Sequence, residues 1–248
     1  MKIVFDLDYT LMDTARFKEA LAEAVTACGV SRERYEETYK AIVKREGKVY
    51  DYDPDVHIEA LGRDFPDADS AAEARRSIDK VVADSDKFLF PGSAELLKEL
   101  RREGKELVLL TLGNEAWQRR KVDHSGLRDY FDEVIATGKH KTAEIGRLAE
   151  AGGKTIVIND NGEEIREMMR RAPRLTYIMK KGPKPIPKEL IEMPAAEDIR
   201  ELEELLVAEG ALDEAFLEKQ ELRSEIDLEA GSETGPEKDT EKGGRRRL

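Results

Sequence analysis

Lys2-Ile3-Val4-Phe5-Asp6-Leu7-Asp8-Tyr9-Thr10 decides the fold of this chain. A short apolar, β-branched run that stops at two acids reads as a buried strand carrying carboxylates at its carboxyl end. Side chains alternate along a strand, so Asp6 and Asp8 begin on the same face. Two carboxylates this close repel unless one is protonated or a cation lies between them. A hard divalent ion with oxygen ligands, Mg²⁺ above all, meets that requirement. The first carboxylate is then placed to attack phosphorus, as in enzymes that form an aspartyl phosphate. Taken alone, the pair fits two exposed strand-end acids capping a helix equally well.

Working outward, Glu106–Thr111, Thr155–Asn159 and Leu175–Met179 read as further buried strands, with Glu133–Ala136 a shorter fifth. Helical patterns alternate with them at Pro91–Glu103, Glu115–Gly126, Lys141–Ala151 and Gly162–Ala172. This alternation predicts an α/β fold: a doubly wound, mostly parallel, five-stranded Rossmann-like core with right-handed crossovers. Ligands of such sheets sit outside the carboxyl ends of the strands.

One segment breaks the alternation. Residues 15–88 show helical stretches at Arg16–Cys28, Arg32–Glu46 and Ser70–Asp84 and no convincing strand, so they read as an inserted helical domain. Pro91-Gly92 marks the return to the core, which takes residues 1–14 and 89–207. Ala195–Glu209 is expected to be a core-covering helix, with Ile199, Leu202, Leu205 and Leu206 at helical spacing. Residues 208–227 are a candidate helical extension. Residues 228–248, rich in Glu, Lys, Gly, Thr and Ser, have little to bury and are expected to be a disordered charged tail.

The 248 residues are 40% hydrophobic with a net charge of −12. That balance opposes nonspecific nucleic-acid binding, which needs a positive face. Cys28 is the single cysteine, so no intrachain disulfide forms and a reducing compartment is expected. No run approaches the roughly 20 apolar residues of a membrane span. Acids interrupt the apolar N-terminus, unlike a signal peptide. The expectation is a cytoplasmic protein with a phosphorylated small molecule as its partner, and neither membrane nor nucleic acid.

The other strand ends supply matching chemistry. Thr111, followed by Leu112-Gly113-Asn114, offers a hydroxyl and loop amides to an anion, although alone it is an ordinary helix cap. Thr137-Gly138-Lys139-His140-Lys141-Thr142 offers a lysine to phosphate charge, although most lysines are simply solvated. Asn159-Asp160 supplies a carboxylate for a metal shell, or merely a helix N-cap.

In this order (acid pair, hydroxyl, lysine, acid) the chain resembles the haloacid dehalogenase-like (HAD) superfamily across about Met1 to Met179. Leu89-Phe90-Pro91-Gly92-Ser93-Ala94-Glu95-Leu96-Leu97 and Tyr130-Phe131-Asp132-Glu133-Val134 are similar to the family's segments before its second and third motifs. The resemblance implies a helical type C1 cap at residues 15–88. It implies Asp6 as nucleophile, Asp8 as general acid and then base, and Lys141, in preference to Lys139, as the catalytic lysine. Mg²⁺ would be held by Asp6, Asp8 through its backbone carbonyl, and Asp160, with Glu164 (or Glu163) standing where a second acid is usual. Phosphoryl oxygens would be bound by Thr111, Leu112 and Lys141. Asp8 favours esters over halides, because an alkoxide leaving group needs a proton and a halide does not.

The implied activity is a Mg²⁺-dependent phosphatase hydrolysing a small phosphorylated metabolite through an aspartyl phosphate. Sugar phosphomutases share the motifs, and a noncatalytic HAD-fold binding module is the reading from another class. Tyr50, Tyr52 and His57 are candidate substrate contacts in the cap, beside Lys44 and Arg45, and each fits a plain surface position as well. Trp117 and Arg119 read as helix packing and solvated charge.

Overall fold

A computed structural model of the chain describes residues 1–43, 52–150, 152–218 and 220. The described residues up to Leu212 form one compact unit, and those from Asp213 belong to a second. The expected disordered tail lies outside the described residues.

Among the described residues, six parallel strands form one sheet in the order β3-β2-β1-β4-β5-β6. They are β1 (Lys2–Phe5), β2 (Glu106–Leu112), β3 (Glu133–Thr137), β4 (Thr155–Asn159), β5 (Thr176–Lys180) and β6 (Ala195–Ala196). Val, Ile and Leu side chains of β1, β2 and β4 are almost wholly buried, because helices cover both faces of a parallel sheet. β1 is central, and the chain winds away from it in both directions. Its carboxyl end is therefore the switch point of the sheet, where a crevice opens between neighbouring crossovers.

Among the described residues the insertion after β1 holds four α-helices, α1 (Thr14–Thr26), α2 (Arg32–Val43), α3 (Pro54–Ala60) and α4 (Ala68–Ala83), before the chain returns to the core. Asp13 starts α1 by accepting a hydrogen bond from the Arg16 amide, and Phe17, Leu21, Ala22 and Val25 form its buried stripe. The core helices are α5 (Ser93–Arg102), α6 (Glu115–His124), α7 (Thr142–Glu150), α8 (Gly162–Arg171) and α9 (Ile199–Ala208). No helix among the described residues is long and apolar enough to cross a membrane.

The sheet corrects two expectations. It has six strands, not five, and Ala195-Ala196 belongs to the sixth rather than to a helix. Lys181 N–H donates to the Ala196 carbonyl (2.8 Å) and Met179 N–H to that of Pro194 (2.9 Å), so backbone pairing holds this segment extended. The helix begins only at Ile199, after Asp198 has capped the Glu201 amide. In the insertion, Asp53-Pro54 opens the third helix. The Asp53 carboxylate accepts from the Asp55 and Val56 amides, and Pro54 occupies a first-turn position needing no N–H.

Candidate active site

The register that pairs Phe5 with Leu109 and Ile158 brings Asp6, Thr111 and Asp160 to one edge of the sheet. They adjoin a cavity of about 210 Å³ lined by Asp6, Asp8, Tyr9, Leu112, Lys141, Asp160, Asn161, Glu164, Pro183 and Lys184 from the core. Thr14, Phe17, Lys18, Leu21, Tyr39, Val43 and Tyr52 line it from the inserted helices, with Trp117, Gln118 and Lys121 from α6.

Asp6 is buried, and its Oδ1 lies 2.8 Å from Lys141 Nζ. The same ammonium is 2.9 Å from Glu164 Oε2. Glu164 also accepts from Asn159 Nδ2 (3.2 Å) and Asn161 Nδ2 (2.7 Å); against the pull of burial, Lys141 first and then these amides hold it below its ordinary value. Lys141 immediately precedes α7 and is buried, whereas Lys139 is exposed. Glu163 points outward to Arg166. The structure therefore brings Lys141 and Glu164 to Asp6 and leaves Lys139 and Glu163 outside.

Burial raises Asp6 to about 6, with Lys141 opposing and the Glu164 charge adding to the rise. Burial, and then the charge of Asp6, raise Asp160 to about 8. Asp160 is packed against Gly182, where any Cβ would come within 2.6 Å of Oδ2. Only glycine permits that approach. Lys141, between Asp6 and Glu164, stays ionised well above the ordinary lysine value.

Asp8 is placed differently. Lys121 Nζ lies 2.6 and 2.8 Å from its two oxygens. Gln118 Nε2 donates to Oδ2 (2.9 Å) and the Thr14 hydroxyl to Oδ1 (2.9 Å). Burial pushes its carboxyl up, but these partners outweigh it and hold Asp8 at about 2. Gln118 and Lys121 lie three residues apart on α6, within the buried stripe Trp117-Gln118-Lys121-Val122. A glutamine and a lysine on a helix's buried face are the signal that sequence reasoning passed over. Trp117, read as helix packing, also lines the cavity, while Arg119 is exposed as expected.

The Thr111 hydroxyl is fully buried without a partner, as is that of Thr10. Such groups are rare and call for an explanation. Of the three candidate substrate contacts, Tyr52 lines the cavity and Tyr50 lies outside the described residues. His57 is corrected: it is wholly buried inside the insertion, away from the cavity wall, against Tyr35, Tyr52 and Thr38. Its nitrogens are taken by those neighbours.

Among the described residues no cluster of three acidic, histidine or cysteine side chains forms a ready metal cage. The charge balance nevertheless fits a cation. When ionised, Asp6, Asp160 and Glu164 carry three negative charges against two on Lys141 and Lys184, a net −1 at the strand ends. Mg²⁺ keeps several waters and needs only one or two protein carboxylates, so Asp6 and Asp160 suffice.

A central parallel strand ending in a buried aspartate, flanked by an acid and a lysine, defines a doubly wound α/β domain with its chemistry at the switch point. The family profile of the haloacid dehalogenase-like hydrolases matches residues 3–172. The chain belongs to that family. Solved structures share the fold at low identity. The protein assigned as HAD-hydrolase YfnB from Bacillus subtilis, bound to magnesium, is 17% identical, with a TM-score of 0.58 over 83% of this chain and 97% of that one. The protein assigned as a beta-phosphoglucomutase from Thermotoga maritima is 19% identical, with a TM-score of 0.57 over 83% and 98%. A haloacid dehalogenase-like family hydrolase from Xanthomonas campestris is 14% identical, with a TM-score of 0.58 over 89% and 94%. A comparison with curated proteins gives no significant match.

Proposed function

We propose that the protein is a Mg²⁺-dependent phosphatase that hydrolyses a small phosphorylated metabolite through an aspartyl phosphate on Asp6. The observation that carries this reading is the Asp6–Lys141 contact at the switch point. A buried carboxylate at the end of the central strand, 2.8 Å from a buried ammonium, is oriented as a nucleophile into a cavity rather than spent on structure.

Lys141 restrains Asp6 and offsets charge on the transferring group. Glu164, expected as a metal ligand, is assigned instead to holding Lys141, because its oxygens already accept from Lys141, Asn159 and Asn161. The unpartnered Thr111 hydroxyl and the Leu112 amide are assigned to phosphoryl oxygens. Mg²⁺, held by the Asp6 and Asp160 carboxylates and the Asp8 backbone carbonyl, would supply charge neutralisation for the phosphoryl group.

Asp6 attacks phosphorus in line, and the departing alkoxide takes a proton from Asp8. Asp8 then takes a proton from the water that attacks the aspartyl phosphate, releasing inorganic phosphate and restoring Asp6. The Lys121 pair favours the second of these roles, because it keeps Asp8 ionised. An incoming phosphate dianion raises the proton affinity of Asp8 and so favours the first.

The test is a screen of phosphorylated metabolites for phosphate release, with Mg²⁺ and with chelator, beside Asp6→Asn. The near-isosteric amide should fold and lose all but a trace of turnover. Retention of more than a few per cent would remove Asp6 from the role. Isomerisation without phosphate release would indicate a mutase, and inertness toward every ester a noncatalytic module.

A further inference from the structure

Tyr9 follows Asp8 directly and has φ +58°, the one non-glycine residue in the left-handed region among the described residues. Its amide is held by the Met12 carbonyl (2.9 Å) and the Thr14 hydroxyl (3.0 Å), so the turn enforces this backbone. Glycine is what such a backbone selects by itself, and a bulky side chain there is strained. The ring is half-buried, lines the cavity and takes no part in the apolar core. Strain retained at a cavity wall points to use of the side chain.

Its neighbour is Lys18, on the first turns of α1. Lys18 Nζ lies 3.4 Å from the Tyr9 hydroxyl, 5.3 Å from the Tyr9 ring centre and 5.9 Å from that of Tyr39. Three other lysines line the same cavity: Lys121 and Lys141 are each paired with a carboxylate, and the charge of Lys184 acts on Asp160. Lys18 makes no salt bridge among the described residues, although acids outnumber basic residues 54 to 42 in the sequence. A cation held by ring faces and one hydroxyl keeps its charge available to an anion.

The same cavity is also lined by a cluster of aromatic rings. Tyr52 meets Trp117 edge-on at 5.5 Å and Tyr39 at 5.1 Å, and Phe17 lies 6.0 Å from Trp117. Rings in this arrangement offer a flat apolar group both faces and edges. The cavity, about 210 Å³, is below the roughly 300–1,000 Å³ of drug-sized sites, so its occupant is small.

We infer that the ester's alcohol portion is a small planar ring bearing an anionic group, with the ring against Tyr39, Tyr52 and Trp117 and the anion at Lys18 and Tyr9. Tyr9 and Lys18 are thereby specificity-determining residues. This rests on the phosphoryl group lying at Asp6, as proposed above, and its test is chosen to be independent of turnover.

The measurement is calorimetric binding of three nonhydrolysable probes, 4-carboxybenzylphosphonate, benzylphosphonate and ethylphosphonate, to the full chain with Mg²⁺. Affinity should fall in that order, by about tenfold at each step, a step worth about 1.4 kcal/mol. Lys18→Met should collapse the ratio between the first two probes to near one, and Lys18→Arg should restore it. Tyr9→Gly should weaken the ring-bearing probes while raising the thermal midpoint, because glycine accepts the left-handed backbone. A purely structural Tyr9 would give the opposite stability change with an unaltered ratio. Equal affinity for ethyl- and benzylphosphonate, no binding of any probe, or a carboxylate preference that survives Lys18→Met would overturn the inference. If the probes bind in the stated order but no ester is hydrolysed, the phosphatase reading fails and the recognition site stands.

Discussion

At the scale of single residues, two aspartates two positions apart are driven in opposite directions. Asp6 is buried and Asp8 half-buried, which disfavours the charged form of each, yet Asp6 is raised to about 6 and Asp8 lowered to about 2. The difference lies in the partners. Asp6 shares one ammonium with Glu164 and stands near Asp160, whereas Asp8 has Lys121 to itself, with Gln118 and Thr14 completing its shell. Removing Lys121 therefore takes away the largest force opposing burial and leaves only the Gln118 and Thr14 hydrogen bonds. With saturating Mg²⁺, Lys121→Met should give kcat an acidic limb near neutral pH that the parent lacks, because water attack needs ionised Asp8. Lys121→Arg should keep the limb at low pH. The kcat profile between pH 4 and 8 checks this, and superimposable profiles would show that Lys121 does not set the charge of Asp8. Asp6 and Asp160 were readable in the sequence because strand ends in a parallel sheet share a register. Lys121 was not, since its reach to Asp8 depends on how α6 turns and packs after the strand has ended.

At the scale of elements, the helical insertion carries its own buried polar centre. His57 Nε2 faces the Tyr35 carbonyl at 3.2 Å, which can only accept, so this nitrogen carries the proton. Nδ1 then accepts from the Tyr52 hydroxyl at 3.3 Å. Protonating Nδ1 would break that bond inside a ring cluster of Tyr35, Tyr39 and Tyr52, and burial accordingly lowers His57 from its ordinary 6.5 to about 4. The sign follows directly. Above pH 6.5 both folded and unfolded chains hold the neutral imidazole. Between 6.5 and 4 only the unfolded chain gains a proton, so stability falls as pH falls, by up to about 3 kcal/mol. Urea midpoints measured from pH 7 to 4 should show this loss, and His57→Gln should flatten it; an equal slope in the variant would assign the loss elsewhere. The sequence showed a helical insertion, but not which of its polar residues face inward. That choice is made by packing of α2 on α3, and it turned a candidate surface contact into a core histidine while leaving Tyr52 at the cavity.

At the scale of the whole molecule, strand alternation in the sequence was enough for the parallel sheet, because long apolar runs at regular spacing have few other solutions. The two-residue β6 carried no such pattern; it exists through its bonds to β5. What the assembled sheet adds is concentrated charge, since no single segment holds Asp6, Asp160 and Glu164 together. Without a cation this cluster makes folding pH-dependent. Asp160 is raised from its ordinary 3.8 to about 8, and Asp6 to about 6. Below 3.8 both states are protonated and nothing is lost. As pH rises, the unfolded carboxyls ionise first, so the folded state loses relative stability through the window from about 4 to 8. A divalent ion bound to the ionised pair reverses this, and must displace protons to bind at the acid end. Mg²⁺ should therefore raise the thermal midpoint by several degrees at pH 8 and by little at pH 5. Asp160→Asn, which removes the charge but keeps the shape beside Gly182, should shrink the pH 8 shift. Thermal melts with Mg²⁺ and with chelator at both pH values decide the matter without any substrate. A Mg²⁺ shift that is absent, or equal at the two pH values, would remove the Asp6–Asp160 pair as the metal site.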